Sequence, residues 1–454
     1  MLQIPATALS GLQVASAYVI FLASYLVFAI GKFPGLKVNR PGAAMIGAVA
    51  MIACGAVSAD DALRFIDFPT LVLLFSMMLV VGNLHLVGFF EWNAELLLRR
   101  LSPSRLLPAV IFTTGFLSAV FVNDIVCLVM VPFVLTVTKR MRIGPLPCLL
   151  AVATSSNIGS VATITGNPQN MLIGSFSRIS YRDFFLHLGP VALVGRFLNW
   201  AVLYWLHGRR RPGTLVTGPA KIPVPAHDPS NFRKPAVVVG VVVIGFFAGV
   251  PPAMMAALGA AALLITRTLE PKRLYDEVDW GLLVFFIGLF LIVGGAENAG
   301  IVGKLLGFAE HWNIQSLPPF LVTVSALSNL VSNVPAVMLL KSLIPGFAHP
   351  RQAWLALAMS STLAGNLTIT GSVANIIVVE RARPEIEIGF WRLLPRRITH
   401  YGSHVVMGMG LAGVVGLISG ETFGVELSLA PIPRPPVEPG GVRGKICLSV
   451  DSYE

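Results

Sequence analysis

Apolar residues come in long runs along this chain, and polar residues gather in the short stretches between them. About 20 apolar residues let a helix cross a bilayer. Runs at roughly 14–31, 42–57, 68–88, 147–174 and 185–206 meet or approach that length, as do 234–250, 253–268, 280–297, 352–378 and 403–420. Two further runs, 107–138 and 317–346, are interrupted at their centres by Asn123-Asp124 and Ser332-Asn333. Each half is too short to cross comfortably, so the pattern predicts re-entrant helical hairpins with those residues at the tips. The expected fold is an all-α polytopic membrane protein of about ten transmembrane helices plus two hairpins.

Within 147–174 the pattern breaks again. Thr163-Ile164-Thr165-Gly166-Asn167-Pro168-Gln169-Asn170 is polar or helix-breaking at every position but Ile164. Pro168 lacks a backbone donor and Gly166 weakens a helix, so two half-helices with an unwound centre are expected. In lipid, such a break survives only where its freed backbone groups face protein or a polar cavity. A kinked structural helix is the plainer alternative. The density of polar residues favours a ligand site.

The same polar residues recur later in register. Asp67-Phe68-Pro69-Thr70-Leu71 is matched by Asp279-Trp280-Gly281-Leu282-Leu283, and Ser118 with Asn123 by Ser328 with Asn333. Ser155-Ser156, Thr163-Ile164-Thr165-Gly166 and Asn170 return as Ser360-Ser361, Thr368-Ile369-Thr370-Gly371 and Asn375. Apolar similarity between spans is cheap, but ordered polar matches are not. The expected units are a first repeat over 1–206, a cytoplasmic linker over 207–233, a second repeat over 234–420 and a disordered tail over 421–454. Five crossings in each half would make the repeats inverted, an organisation typical of secondary transporters.

Composition and charge narrow this further. Of 454 residues 55% are hydrophobic and 12% charged, against about a quarter charged in soluble domains. The net charge of +11 resides mainly in short loops, which speaks for membrane orientation and against nucleic acid. The clusters at Lys32, Lys37 and Arg40, at Arg99, Arg100 and Arg105, at Lys139, Arg140 and Arg142, and at Arg209-Arg210-Arg211 then lie inside. Both termini are expected outside a cytoplasmic (inner) membrane. Cys54, Cys127, Cys148 and Cys447 show no metal-ligand spacing and no disulfide framework. The first run follows an uncharged start without a clear cleavage site, so no cleavable signal peptide is expected.

The chemistry expected at the breaks follows from helix ends. Asn123-Asp124, Asn167-Pro168 and Asn333 with Pro335 each open a half-helix, where free N–H groups and the dipole suit an anion. The preceding half-helices end in unpaired carbonyls, which suit a small cation such as Na⁺. The expected cargo-binding residues are Asn123, Thr165, Gly166, Asn167, Asn170, Ser332, Asn333, Thr370, Gly371 and Asn375. The coupling ion falls to Asn123, Asp124, Ser332 and Asn333, so any Na⁺ would sit at the hairpin tips. Asp124 is a candidate proton carrier or cation ligand, or else a structural partner of a base such as Arg196. His85 and Glu297 fall at matching places and read as interfacial residues, with a proton relay as the alternative.

These residues resemble the ArsB/NhaD-type permeases of the wider ion transporter superfamily, which includes arsenite, citrate, divalent-anion and Na⁺/H⁺ transporters. The likeness rests on the Asn123-Asp124 tip with Pro132, on Gly166-Asn167-Pro168-Gln169-Asn170, on Ser332-Asn333-Val334-Pro335, on Gly371-Ser372-Val373-Ala374-Asn375, and on Glu297 before Gly300. It covers about Met45 to Gly420 and is nearest to the bacterial anion-permease branch. The resemblance implies a scaffold domain, often dimer-forming, and a mobile transport domain built from hairpins and broken helices. In the dicarboxylate branch both tips read Ser-Asn-Thr, whereas here they read Val122-Asn123-Asp124 and Ser332-Asn333-Val334.

The function expected is secondary active transport of a small inorganic or organic anion, coupled to Na⁺ or H⁺, without a further cofactor. One alternative is a cation/proton antiporter with Asp124 as the exchanging carboxylate. A membrane-embedded enzyme is the other, for which no convergent nucleophile-base set or His-Glu-x-x-His pattern is present in the sequence.

Overall fold

The computed structural model describes residues 9–31, 38–90, 92, 102–207, 230–265, 270–368, 371–383 and 385. The expected span 403–420, the tail 421–454, most of the linker 207–233 with its arginine cluster, and Thr370 lie outside the described residues. The described chain is an all-α polytopic membrane protein. Its helices in order are α1 (Gly11–Ile30), α2 (Arg40–Ala53), α3 (Ala59–Phe65), α4 (Phe68–Leu86), α5 (Pro103–Val120) and α6 (Asn123–Met141). Then come α7 (Leu146–Ser160), α8 (Pro168–Ser177), α9 (Tyr181–His207), α10 (Ser230–Phe247), α11 (Pro252–Ile265) and α12 (Pro271–Asp276). The last are α13 (Trp280–Asn298), α14 (Ile301–His311), α15 (Leu317–Val331), α16 (Asn333–Leu340), α17 (Pro350–Ala364) and α18 (Val373–Ala382).

Five of these, α1, α4, α5, α9 and α13, are long and apolar enough to cross a membrane, and α2, α11 and α15 are shorter apolar helices. Large apolar side chains such as Leu22, Ile46, Trp205, Val241 and Ile244 are exposed, as a lipid-facing surface requires.

Local chemistry sets the helix ends. A capping box between Ser10 and Gln13 starts α1, and Gly31, at φ 85°, ends it. The matched openers behave alike: Asp67 caps α4 by accepting from Thr70 N, and Asp279 caps α13 by accepting from Leu282 N. The interrupted run 107–138 is longer than its apolar stretch suggested. Ser102-Pro103 starts α5 early, so α5 has 18 residues and α6 has 19.

Close packing depends on small residues, which let membrane helices approach. α2 lies on α13, α4 on α11, and α5 on α7. A Cβ at Gly288 would come within 2.6 Å of the Ala44 backbone. A Cβ at Gly159 would sit 2.1 Å from Gly115 O. This second contact locks α7, which carries part of the site, against α5, which leads to the first tip.

Candidate functional site at two helix breaks

Both expected helix breaks are present. After α7 the chain turns through Val161–Thr163 and a short 3-10 segment, Ile164–Gly166, and α8 starts at Pro168. Asn167 is extended and caps α8, its Oδ1 accepting from Asn170 N at 2.8 Å. Gly166 is needed here, because a Cβ would lie 2.2 Å from Ser160 O. The second break runs from Gly365 to Ser372, between α17 and α18.

Each break is closed by its own asparagine in the same way. Asn170 Nδ2 donates to Ser160 O (3.0 Å) and Thr163 O (2.9 Å). Asn375 Nδ2 donates to Gly365 O (2.6 Å) and Thr368 O (3.0 Å), the residues in the corresponding register. The threonines of the two breaks tie back to the helix before each tip. Thr163 donates to Ala119 O (2.6 Å) and Thr368 to Asn329 Oδ1 (2.9 Å).

These bonds correct the expectation that carbonyls at the breaks stand unpaired. A buried carbonyl without a partner costs about 1–3 kcal/mol, so side-chain amides occupy them. Asn333 does the same across elements. In the amide orientation that gives both its atoms partners, its Nδ2 donates to Ser361 O (2.9 Å) and Gly371 O (3.2 Å).

Two residues that the sequence reading did not single out join the breaks. Asn157, in α7, accepts at Oδ1 from Asn123 Nδ2 (3.1 Å) and Ser372 Oγ (2.9 Å). Its Nδ2 donates to Asn366 Oδ1 (2.9 Å) and Asn375 Oδ1 (3.2 Å), so its full bonding capacity is used. Thr362, at the corresponding place in α17, accepts from Asn167 Nδ2 (3.2 Å) and Gln169 Nε2 (3.2 Å). Each half thus reaches into the other's break. A signal was present: both residues directly follow the matched pairs Ser155-Ser156 and Ser360-Ser361.

The structure brings together Asn123, Gly166, Asn167, Asn170, Asn333, Gly371 and Asn375 around this network. Thr165 is turned away, its hydroxyl 2.9 Å from that of Tyr181 in α9. At both tips the caps lie one residue earlier than expected. Val122 caps α6 and Ser332 caps α16, neither with a side-chain bond, so Asn123 and Asn333 are free to reach across. Ser332 holds φ 79° and ψ 161°, a strained region for a residue with a Cβ, and such strain gathers at ligand clamps.

Three side-chain oxygens near the tips are buried without a hydrogen-bond partner: Ser118 Oγ, Asn123 Oδ1 and Ser328 Oγ. Asp124, half-buried in the first turn of α6, makes no hydrogen bond or ion pair with a described residue. Arg196 is not its partner. That guanidinium lies over Gly115, and its Nε donates to Ala192 O at 3.2 Å. His85 Nδ1 is hydrogen-bonded to Glu277 at 2.9 Å, and Glu297 pairs with Lys341 at 3.6 Å. Among the described residues no group of His, Cys, Asp and Glu could hold a metal ion.

Comparison with known proteins gives a consistent set of relatives. Residues 25–364 match the family described as Citrate transporter. The chain is 31% identical to the silicon efflux transporter LSI3 of Oryza sativa subsp. japonica, over 89% of this chain and 96% of that protein. It is 29% identical to Uncharacterized transporter Rv2685 of Mycobacterium tuberculosis, over 83% and 92%. It is 24% identical to the putative transporter arsB of Dictyostelium discoideum, over 84% and 88%. Among solved structures, the YdaH transporter of Alcanivorax borkumensis matches at TM-score 0.57 and 12% identity, covering 90% of this chain and 98% of that one. This last likeness is one of fold alone.

Proposed function

This chain belongs to the citrate transporter family and is a membrane transporter for a small solute, not an enzyme; from that premise we propose that it moves a small anion, coupled to Na⁺ or H⁺, by alternating access. The observation that carries this reading is the meeting of both helix breaks with both tips in one buried amide and hydroxyl network. Helix N-termini there offer N–H groups to an anion, while Asn123 Oδ1 and Ser118 Oγ, buried and unpartnered, offer oxygen ligands to a coupling cation. We read 1–206 and 234–420 as inverted repeats joined by a cytoplasmic linker over 207–233, with both termini outside. The matched roles of Asn170 and Asn375 support the repeat.

The polar groups of this network are amides, hydroxyls and backbone, without a lysine or arginine among the described residues that form it. Several negative charges would be costly to bury there, so a small oxyacid of low charge fits better than a tricarboxylate. Such a cargo agrees with the rice relative, a silicon efflux transporter.

The test is uptake by proteoliposomes holding the purified chain, across arsenite, silicic acid, sulfate, phosphate and citrate, with imposed Na⁺ or pH gradients. Cation-driven accumulation of one of them supports the proposal. Na⁺/H⁺ exchange that needs no anion would replace it with the antiporter reading, which the carboxylate of Asp124, unpaired among the described residues, favours. In the first case Asp124→Asn leaves anion specificity unchanged and alters the Na⁺ or pH dependence of flux. An unchanged profile removes Asp124 from coupling. Asn333→Ala is expected to cut flux at least about tenfold, since it deletes three hydrogen bonds that tie the second tip to Ser361 O, Gly371 O and Gln169 Nε2. Wild-type flux from an inserted variant would contradict that role.

A further inference from the structure

The two tips share a serine and an asparagine in the same register, Ser118 with Asn123 and Ser328 with Asn333, but are not equivalent. At the first, Asn123 spends its Nδ2 on Asn157, which leaves its Oδ1 buried and without a hydrogen-bond partner among the described residues. At the second, Asn333 Oδ1 accepts from Gln169 Nε2 at 3.2 Å. The same nitrogen donates to Thr362 Oγ1 at 3.2 Å. Gln169 is 4% exposed, so these bonds form away from solvent. Its counterpart in the second break is Ala374, which has no amide to offer the first tip.

An amide NH₂ aimed at two oxygens supplies them with partial positive charge, as a small bound cation would. We propose that the Gln169 amide stands in for a second coupling cation, so that this transporter binds a single coupling cation, at the first tip. This rests on the reading of Asn123 and Ser118 as cation ligands. It adds a residue that sets the coupling ratio. Removing the amide frees Asn333 Oδ1 and takes one of two donors from Thr362 Oγ1, which keeps Asn167 Nδ2. Ser328 Oγ, in the register that Ser118 holds at the other tip, is buried and without a hydrogen-bond partner among the described residues.

The test is equilibrium binding of radiolabelled Na⁺ to the purified full-length chain, with folding checked by size-exclusion chromatography. Wild type is expected to bind one Na⁺ per chain without cooperativity. Gln169→Ala is expected to bind two. Gln169→Glu keeps the shape, replaces the donor by a carboxylate and is also expected to bind two, which covers the case where the alanine variant does not fold. Two Na⁺ in wild type, or one in a folded Gln169 variant, overturns the assignment to Gln169. No saturable Na⁺ in wild type overturns the cation reading of the first tip itself, and this inference with it. Should neither variant fold, the wild-type count alone decides between one and two.

Discussion

Gly159→Ala is expected to remove most of the folded protein, while Gly115→Ala, on the facing helix, is tolerated. The two glycines belong to the same α5–α7 contact, but a methyl group meets different obstacles at each. At Gly159 the new Cβ would lie 2.1 Å from Gly115 O, 2.6 Å from its Cα and 2.7 Å from its C. All three are backbone atoms, so the helices themselves must separate. At Gly115 the nearest atom is Arg196 Cδ at 2.5 Å, part of a flexible side chain on α9 that can move aside.

Overpacking typically costs about 1–3 kcal/mol, and more where the obstacle cannot yield. Gly159→Ala is therefore placed at about 3 kcal/mol or above, a large share of the roughly 5–15 kcal/mol that holds a protein folded. The functional loss should exceed the stability loss. Asn157 precedes Gly159 on α7 and Ser160 follows it, so displacing this helix end pulls Asn157 from Asn123 and Ser160 O from Asn170. The measurement is thermal stability by size-exclusion after heating, together with flux in proteoliposomes. Equal behaviour of the two variants would show that this helix contact is not the one that matters.

Much of this arrangement was legible before any coordinates. Pro168 and Gly166 cannot sustain a helix, so the first break could be placed from their chemistry alone. The second followed from the polar register repeated at Thr368 and Asn375. What the sequence hid was partner choice. The serine pairs before Asn157 and Thr362 mark both positions, but only the packing of α7 and α17 against α18 and α8 tells where their side chains point. Capping rules favour asparagine at N-cap, and they misplaced Asn123 and Asn333 by one residue. At both tips a tertiary partner, Asn157 for one and the second break for the other, holds the side chain more strongly than its own helix end does. The unpaired carbonyls were misjudged for a related reason. A helix end seen alone has orphan acceptors, but in lipid the fold must supply donors for them, and Asn170, Asn333 and Asn375 are those donors.

The donor role of Asn170 leads to the other large effect. Asn170→Asp changes one nitrogen to oxygen and almost no volume, yet it should be as damaging as Gly159→Ala. The amide nitrogen serves two carbonyls at once, Ser160 O at 3.0 Å and Thr163 O at 2.9 Å, with no exposure to solvent. An ionised carboxylate would face both carbonyl oxygens with negative charge. A protonated one could donate to a single carbonyl and would leave the other orphaned. Two unsatisfied buried carbonyls cost about 2–6 kcal/mol together, at about 1–3 kcal/mol each.

Asn170→Ala loses the same two bonds without adding repulsion, so it should lie between wild type and the aspartate. Asn375→Asp breaks the matching pair of bonds in the second break, but that residue is 8% exposed, and water reaching it softens the loss. The expected order of stability is wild type, Asn375→Asp, then Asn170→Asp, with flux lost in both variants because each break opens where it joins the network. Thermal unfolding and proteoliposome flux read the two quantities separately. Asn170→Asp that keeps wild-type stability would mean that something other than this amide closes the break, and the equivalence of the two breaks would lose its physical basis.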